Sequence, residues 1–125
     1  MELSAKRRAL EQLTQRSFAR VYLAGSSAGA YFVAALAMGG ELDAAGFGVL
    51  SGGSDRPAVQ LSGSPRPVYI GFGTQDSVGK SARGLAERLR NAGWPVQVAA
   101  HPGGHGAKEV YLDEAFAFWR AQVRP

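Results

Sequence analysis

Strand-like and helix-like segments alternate along the chain. Four short apolar runs, each long enough for one buried strand, occupy residues 20–24, 47–51, 67–72 and 95–100. Four further segments have good helix formers or apolar side chains at helical spacing, and they occupy residues 2–16, 28–38, 81–91 and 108–122. Glycines follow most of these segments, as turns and helix ends require.

Strands that alternate with helices are typical of βαβ units. We therefore predict an α/β fold with a four-stranded, mostly parallel sheet in sequential order, flanked by helices. The first crossover helices lie on one face of this sheet, and the last helix covers the other. A core-facing stripe in that helix is predicted for Leu112, Phe116, Trp119 and Val123. Residues 1–125 are expected to form one domain, since 46% of them are apolar.

Composition narrows the choice of partners. The formal net charge is +4, but the basic residues are scattered, and their one cluster, Lys6, Arg7 and Arg8, lies on the predicted first helix. A solvated helix face explains this cluster better than a nucleic-acid site, because no aromatic-basic interleaving accompanies it. The chain has no cysteine, which excludes disulfides and thiolate metal sites and leaves the redox compartment open.

No segment has the pattern of a membrane span or a signal peptide. The longest apolar stretch, residues 28–38, is too short to cross a bilayer. Residues 1–6 include no apolar core of signal-peptide length. We therefore expect a soluble chain without a membrane partner, and its parent protein is either cytoplasmic or secreted.

A serine motif follows the first predicted strand. Residues 25–29 read Gly-Ser-Ser-Ala-Gly and match G-x-S-x-G. The motif leads directly from a predicted strand into a predicted helix, which is the context of the strained turn that presents a nucleophilic serine. This setting indicates Ser27 as a nucleophile, while an ordinary glycine-rich turn remains the alternative. A phosphate-binding loop fits less well, because neither G-x-x-x-x-G-K-[ST] nor a complete G-x-G-x-x-G is present.

A serine hydroxyl needs a base that takes its proton. The chain has two histidines, His101 and His105. His105 lies in the glycine-rich segment 102–106 after the fourth strand, at the sheet edge that also carries Ser27, because parallel strands end together. His101 ends the strand itself and is expected to be structural or on the surface. The alternative for both is a solvent-exposed loop histidine.

The base in turn needs a carboxylate that fixes its tautomer. Asp76 follows the third strand and is predicted to fill this role. Asp55, after the second strand, is its rival. Asp113 and Glu114 belong to the last helix and are expected to be solvated. The order serine, aspartate, histidine along the chain is that of α/β-hydrolases.

Three segments together resemble one branch of this superfamily. Residues 20–30 are similar to the nucleophile region of esterases and polyhydroxybutyrate depolymerases. Residues 67–78, with Gly-Thr-Gln-Asp at 73–76, resemble the acid-bearing strand and turn, and residues 86–119 resemble the histidine segment. The resemblance covers nearly the whole chain and corresponds to the C-terminal half of the fold.

The resemblance implies a serine esterase that cleaves small carboxyl esters through an acyl-enzyme. Ser27 would be the nucleophile, His105 the base and Asp76 the residue that orients it. The backbone N–H of Ala28 would be one donor of the oxyanion hole. The family needs no organic cofactor and no metal for this reaction.

The sequence also departs from the family. The strands that usually precede the nucleophile strand, and the loop with the second oxyanion-hole donor, have no counterpart here. That donor is therefore expected from another segment or subunit. The strand from Val21 to Ala24 becomes an open edge, so we expect a homo-oligomer through this edge or through the uncovered face of the sheet.

Two other functions stay open at this point. A catalytically weak or inactive fragment would act as an assembly or binding module, and a nucleotide-binding α/β protein would lack a proper phosphate loop. The segment Ser51, Gly52 and Gly53 after the second strand either lines a pocket or forms a plain turn.

Overall fold

A computed structural model gives the fold and describes residues 20–40, 44–53, 61, 63–106 and 108–122. Its elements run in the order β1 (Tyr22–Ser26), α1 (Ala28–Gly39), β2 (Gly46–Leu50), β3 (Val68–Gly73), α2 (Gly79–Asn91), β4 (Val96–His101) and α3 (Glu109–Gln122). The predicted boundaries of the four strands differ from these by two residues at most. The helix predicted for residues 2–16 lies outside the described residues.

The four strands form one sheet in the order β1-β2-β3-β4. All three pairings are parallel, which confirms the predicted topology. The register places Ser26 opposite Leu50 and Gly73 opposite His101. The carboxyl ends of the strands therefore meet at one edge, where loops carry the residues of interest.

Each face of the sheet buries its own hydrophobic cluster, because strand side chains point alternately to the two sides. Val68 and Ile70 pack in the cluster that contains α1 and α2, whereas Tyr69 packs on the opposite face with α3. One tryptophan belongs to each cluster, Trp94 to the first and Trp119 to the second. The last helix thus covers the face predicted for it.

Glycines in the sheet make room for aromatic rings of α3. A Cβ at Gly46 would lie 2.8 Å from the Trp119 ring, and one at Gly71 would lie 2.8 Å from the Tyr111 ring. The Trp119 ring also stacks on Tyr22, with centroids 4.5 Å apart and planes 10° apart. These positions need glycine because a side chain there would push α3 away from the sheet.

The predicted core stripe of α3 is wrong in two of its members. Leu112 is 42% exposed and Phe116 is 48% exposed. The residues that α3 buries are Tyr111, Ala115 and Trp119. The fit of the Tyr111 and Trp119 rings over the sheet glycines sets the rotation of the helix, so the neighbouring stripe faces outward. Val123 lies outside the described residues.

Helix α1 is the most apolar of the described helices. It buries Ala30, Val33, Ala34, Ala37 and Met38. Gly40 caps its C-terminus with a φ of 69°, the left-handed conformation that glycine adopts most easily. Across the described residues, no helix has both the length and the apolar character that crossing a membrane requires.

Candidate active site

Ser27 lies in a strained turn between β1 and α1. Its φ of 59° and ψ of −118° fall in a region that non-glycine residues rarely adopt. The turn is held in place because the Ser27 N–H donates to the Leu50 carbonyl at 3.0 Å. A Cβ at Gly25 would lie 2.5 Å from the carbonyl oxygen of Gly29, so the close strand-to-helix approach requires glycine before the serine. At Gly29 a Cβ would meet nothing within 4 Å.

His105 lies in the loop that follows β4. Its Nε2 is 2.8 Å from the Ser27 Oγ, and its side chain is 50% exposed. Two glycines of this loop, Gly103 and Gly106, have a φ of 126°, a conformation that other residues avoid. The loop places the His105 imidazole beside Ser27, as we predicted from the sheet edge that the two segments share.

Asp76 lies on the other side of the imidazole. Its Oδ2 is 2.9 Å from His105 Nδ1, and its side chain is 1% exposed. The second carboxylate oxygen accepts the Val78 N–H at 3.1 Å, which fixes the orientation of the group. Because a carboxylate only accepts hydrogen bonds, the proton of a neutral imidazole lies on Nδ1 and leaves Nε2 to accept from the serine hydroxyl.

Backbone hydrogen bonds join the aspartate and histidine loops. The N–H of Thr74 donates to the His101 carbonyl at 2.8 Å, and that of Gln75 donates to the Gly103 carbonyl at 2.9 Å. The structure therefore brings together Ser27, His105 and Asp76 from the ends of β1, β4 and β3. Such a chain of hydrogen bonds can activate a serine hydroxyl and support the charge on the base.

His101 belongs to a second cluster under α3. Its Nε2 is 2.8 Å from Glu114 Oε1, and the same oxygen accepts the Tyr69 hydroxyl at 2.6 Å. The hydrogen bonds from Tyr69 and His101 lower the pKa of Glu114, whereas burial, reinforced by Glu114, raises the pKa of Tyr69. The prediction that Glu114 is solvated is wrong, because its side chain is 32% exposed and ties α3 to two strands.

The other acidic residues weighed for this role are Asp113 and Asp55. Asp113 is exposed on α3, as predicted. Asp55, the rival of Asp76, lies outside the described residues. In the described part of the chain, no group of three or more His, Asp or Glu side chains is arranged to hold a metal ion.

Ser51 plays a part that its sequence context did not reveal. It is fully buried, with 0% exposure, directly after β2. Its Oγ donates to the Gly106 carbonyl at 2.7 Å and accepts the Gly106 N–H at 3.1 Å. Neither a pocket-lining residue nor a plain turn describes this position, since the hydroxyl is committed to the histidine loop.

An open cleft of about 700 Å³ lies on the aspartate side of the site. Its walls include Thr74, Asp76, Lys80 and Arg83. The Arg83 guanidinium also lies 5.0 Å from the centroid of the Phe72 ring. Ser27 and His105 are not among the residues that line this cleft.

The model of the dienelactone hydrolase family matches residues 1–113 of the chain. The chain belongs to the dienelactone hydrolase family. No curated protein sequence matches this family member.

Solved structures similar to this dienelactone hydrolase family member are larger α/β-hydrolases. Esterase PE8 matches with a TM-score of 0.75 and 26% identity, over 97% of this chain and 59% of its own. The Bacillus cereus carboxylesterase matches with a TM-score of 0.79 and 20% identity, over 97% and 58%. SOBER1 from Arabidopsis thaliana matches with a TM-score of 0.71 and 18% identity, over 97% and 62%.

These comparisons confirm that the family member has the fold of part of an esterase-like α/β-hydrolase. The two structures below 25% identity show the fold alone. The chain spans about three fifths of the length of these relatives, 59% of esterase PE8 and 58% of the carboxylesterase.

Proposed function

We propose that this family member is a serine hydrolase that cleaves carboxyl esters through an acyl-enzyme. The observation that carries the proposal is the continuous chain of hydrogen bonds from Ser27 Oγ through His105 to the buried Asp76 carboxylate. The strained backbone of Ser27 supports it, because strain at a nucleophile is typical of a functional turn. The similarity to esterase PE8, at 26% identity, favours ester substrates.

In the first half of the reaction the Ser27 oxygen attacks the ester carbonyl carbon, and its proton passes to His105 Nε2. Asp76 stabilises the imidazolium that forms. The negative charge on the former carbonyl oxygen is met by the Ala28 N–H, which an α-helix leaves without an internal partner at its first residue. The tetrahedral intermediate then expels the alcohol, which takes the proton back from His105.

Water completes the cycle. It gives a proton to His105, attacks the acyl-serine carbonyl and releases the carboxylic acid with a regenerated Ser27. The proposed residues need neither a metal nor an organic cofactor for these steps. A second oxyanion-hole donor is proposed to come from another segment or subunit, since losing one such donor typically costs about 10²- to 10³-fold in rate.

The proposed substrates are small esters, with hydroxyalkanoate, aryl and other short-chain esters as the first to test. Ser27 is partly exposed, and its hydroxyl faces the half-exposed imidazole of His105.

We also propose that residues 1–125 form one domain that associates as a homo-oligomer. All described strands share one sheet, and β1 pairs with β2 alone among the described strands. Among the described residues no strand pairs with the outer edge of β1, so the backbone groups of that edge are proposed to pair with a strand of a second copy. Sedimentation at micromolar concentration should show a dimer or larger species, and a stable monomer would contradict this proposal.

A fluorophosphonate probe tests the hydrolase proposal directly, because it reacts covalently with activated serines. The parent chain should be labelled at Ser27, as mass spectrometry of the modified peptide would show. Ser27→Ala should not be labelled. Ser26→Ala is the matched control, since it removes the neighbouring hydroxyl and should leave labelling intact.

Two outcomes would contradict the proposal. Labelling that persists in Ser27→Ala would place the reactive serine elsewhere. A parent chain that is folded by circular dichroism yet never reacts would instead favour the second candidate, a hydrolase-like module for assembly or binding.

A further inference from the structure

The end of β2 lies between the segments that carry Ser27, Asp76 and His105, although β2 itself contributes none of these side chains. The Leu50 carbonyl accepts the Ser27 N–H at 3.0 Å. A Cβ at Gly53 would lie 2.5 Å from the Ser81 carbonyl carbon, which belongs to the first turns of the helix that follows Asp76. The segment from Leu50 to Gly53, at and just after the end of β2, therefore packs against both the serine turn and the helix that follows Asp76.

Ser51 completes this arrangement on the histidine side. One hydroxyl satisfies both backbone groups of Gly106, the residue that follows His105, at 2.7 Å to the carbonyl and 3.1 Å from the N–H. A hydroxyl has one proton to donate and lone pairs to accept, so a single serine can make both bonds. Alanine, glycine and valine offer neither.

The backbone conformation of Ser51 indicates that its hydroxyl has a specific role. Its φ of 53° lies in the left-handed region, where a residue with a Cβ is strained and glycine is not. Glycine would suit the backbone better and occurs at the next two positions. A serine in this conformation is explained if the hydrogen bonds to Gly106 are needed.

We infer that Ser51 is a positioning residue that holds the His105 loop, and thereby the imidazole, in line with Ser27. This inference rests on the proposed serine hydrolase function. The loop has glycine at positions 103, 104 and 106, and the imidazole is half exposed, so its own packing restrains it weakly. Misplacing a reacting group by about 1 Å can cost roughly 10²-fold in rate, which sets the scale of the expected effect.

Ser51→Gly and Ser51→Ala test the inference as a matched pair. Both remove the hydroxyl, but only glycine relieves the backbone strain. The kcat for ester hydrolysis should fall by roughly 10- to 100-fold in both variants, with KM changed by about twofold or less, since the loss is in positioning and not in ground-state binding. Ser51→Gly should nevertheless melt at a higher temperature than Ser51→Ala.

A purely structural role of Ser51 predicts a different pattern. The loss of kcat would then follow the loss of stability, with Ser51→Ala impaired and Ser51→Gly close to the parent. That result, or an unchanged kcat in both variants, would overturn the inference. Ser64→Gly and Ser64→Ala are the controls, because Ser64 is exposed in the loop before β3 and both changes should leave kcat as it is.

Nuclear magnetic resonance of the His105 Nδ1 proton separates this inference from the proposed function, because the signal needs no turnover. In the parent, His105 Nδ1 lies 2.9 Å from Asp76 Oδ2, so the proton shared in this hydrogen bond should resist exchange with water. In Ser51→Gly its signal should broaden or exchange faster. If the parent proves inactive, that change still supports positioning by Ser51, and an identical signal in parent and variant refutes it.

Discussion

Two histidine–carboxylate pairs lie at the same end of the sheet, and only one of them faces a serine. In one pair, His105 Nδ1 lies 2.9 Å from Asp76 Oδ2. In the other, His101 Nε2 lies 2.8 Å from Glu114 Oε1. In the first pair the remaining ring nitrogen meets Ser27 Oγ. In the second, the carboxylate oxygen is shared with the Tyr69 hydroxyl.

The two pairs differ in what the imidazole faces, and their proposed roles follow from this difference. Tyr69 is fully buried, and burial raises its pKa, so this hydroxyl stays protonated and acts as a donor. His101 also packs on Tyr111, with ring centroids 5.6 Å apart. The second pair therefore fixes α3 to the sheet, whereas the first leaves a half-exposed imidazole beside a hydroxyl.

The largest contrast is expected between His105→Gln and His101→Gln. Glutamine keeps a polar amide but cannot take up the serine proton. His105→Gln should lower kcat for ester hydrolysis by roughly 10⁴- to 10⁶-fold, whereas His101→Gln should stay within about fivefold of the parent. Rates measured with a short-chain aryl ester check this, and similar losses in both variants would remove the distinction between the pairs.

The second-largest contrast is expected between the carboxylate variants Asp76→Asn and Glu114→Gln. Asp76→Asn leaves the shape intact but favours the wrong imidazole tautomer, so kcat should fall by about 10⁴-fold. Glu114→Gln should leave kcat nearly unchanged and lower the free energy of unfolding by about 1.5–3 kcal/mol, since it weakens hydrogen bonds to a charged group. Kinetics and urea unfolding of both variants provide the measurement. Loss of activity without loss of stability in Glu114→Gln would contradict the structural role.

The smallest expected effect is the loss, at acidic pH, of the stability that Glu114 contributes. The pKa of Glu114 is lowered in the folded chain, first by the Tyr69 hydroxyl and then by His101. Its contribution to stability is therefore complete above the ordinary glutamate pKa of about 4.3 and is lost as the pH falls through the lowered value. The stability difference between the parent and Glu114→Gln should be present above about pH 4.3 and narrow below it. Urea unfolding across this range would contradict the assignment if the difference grew on acidification.

Much of the fold was predictable because each strand is a separate apolar run that a helix or loop follows. Parallel strands in sequential order bring their carboxyl ends to one edge, and this rule alone placed Ser27, Asp76 and His105 near each other. Their roles in catalysis stay predictions until the variants above are measured.

The parts that sequence patterns missed depend on contacts between distant segments. The rotation of α3 follows from Gly46 and Gly71 in two strands, which no periodicity within the helix reveals. Glu114 has the sequence context of a solvated helix residue, yet a tyrosine 45 positions away donates to it. The partner of Ser51 is 55 positions along the chain, so its hydroxyl looked like part of an ordinary turn.

The placement of one indole on each side of the sheet gives the molecule two independent optical reporters. The sequence contains two tryptophans, and the structure buries Trp94 with α1 and α2 and Trp119 with α3. A variant that keeps only Trp119 follows the detachment of the last helix by its emission, and one that keeps only Trp94 follows the opposite layer. Coincident denaturation curves from the two would mean that both layers melt as one cooperative unit.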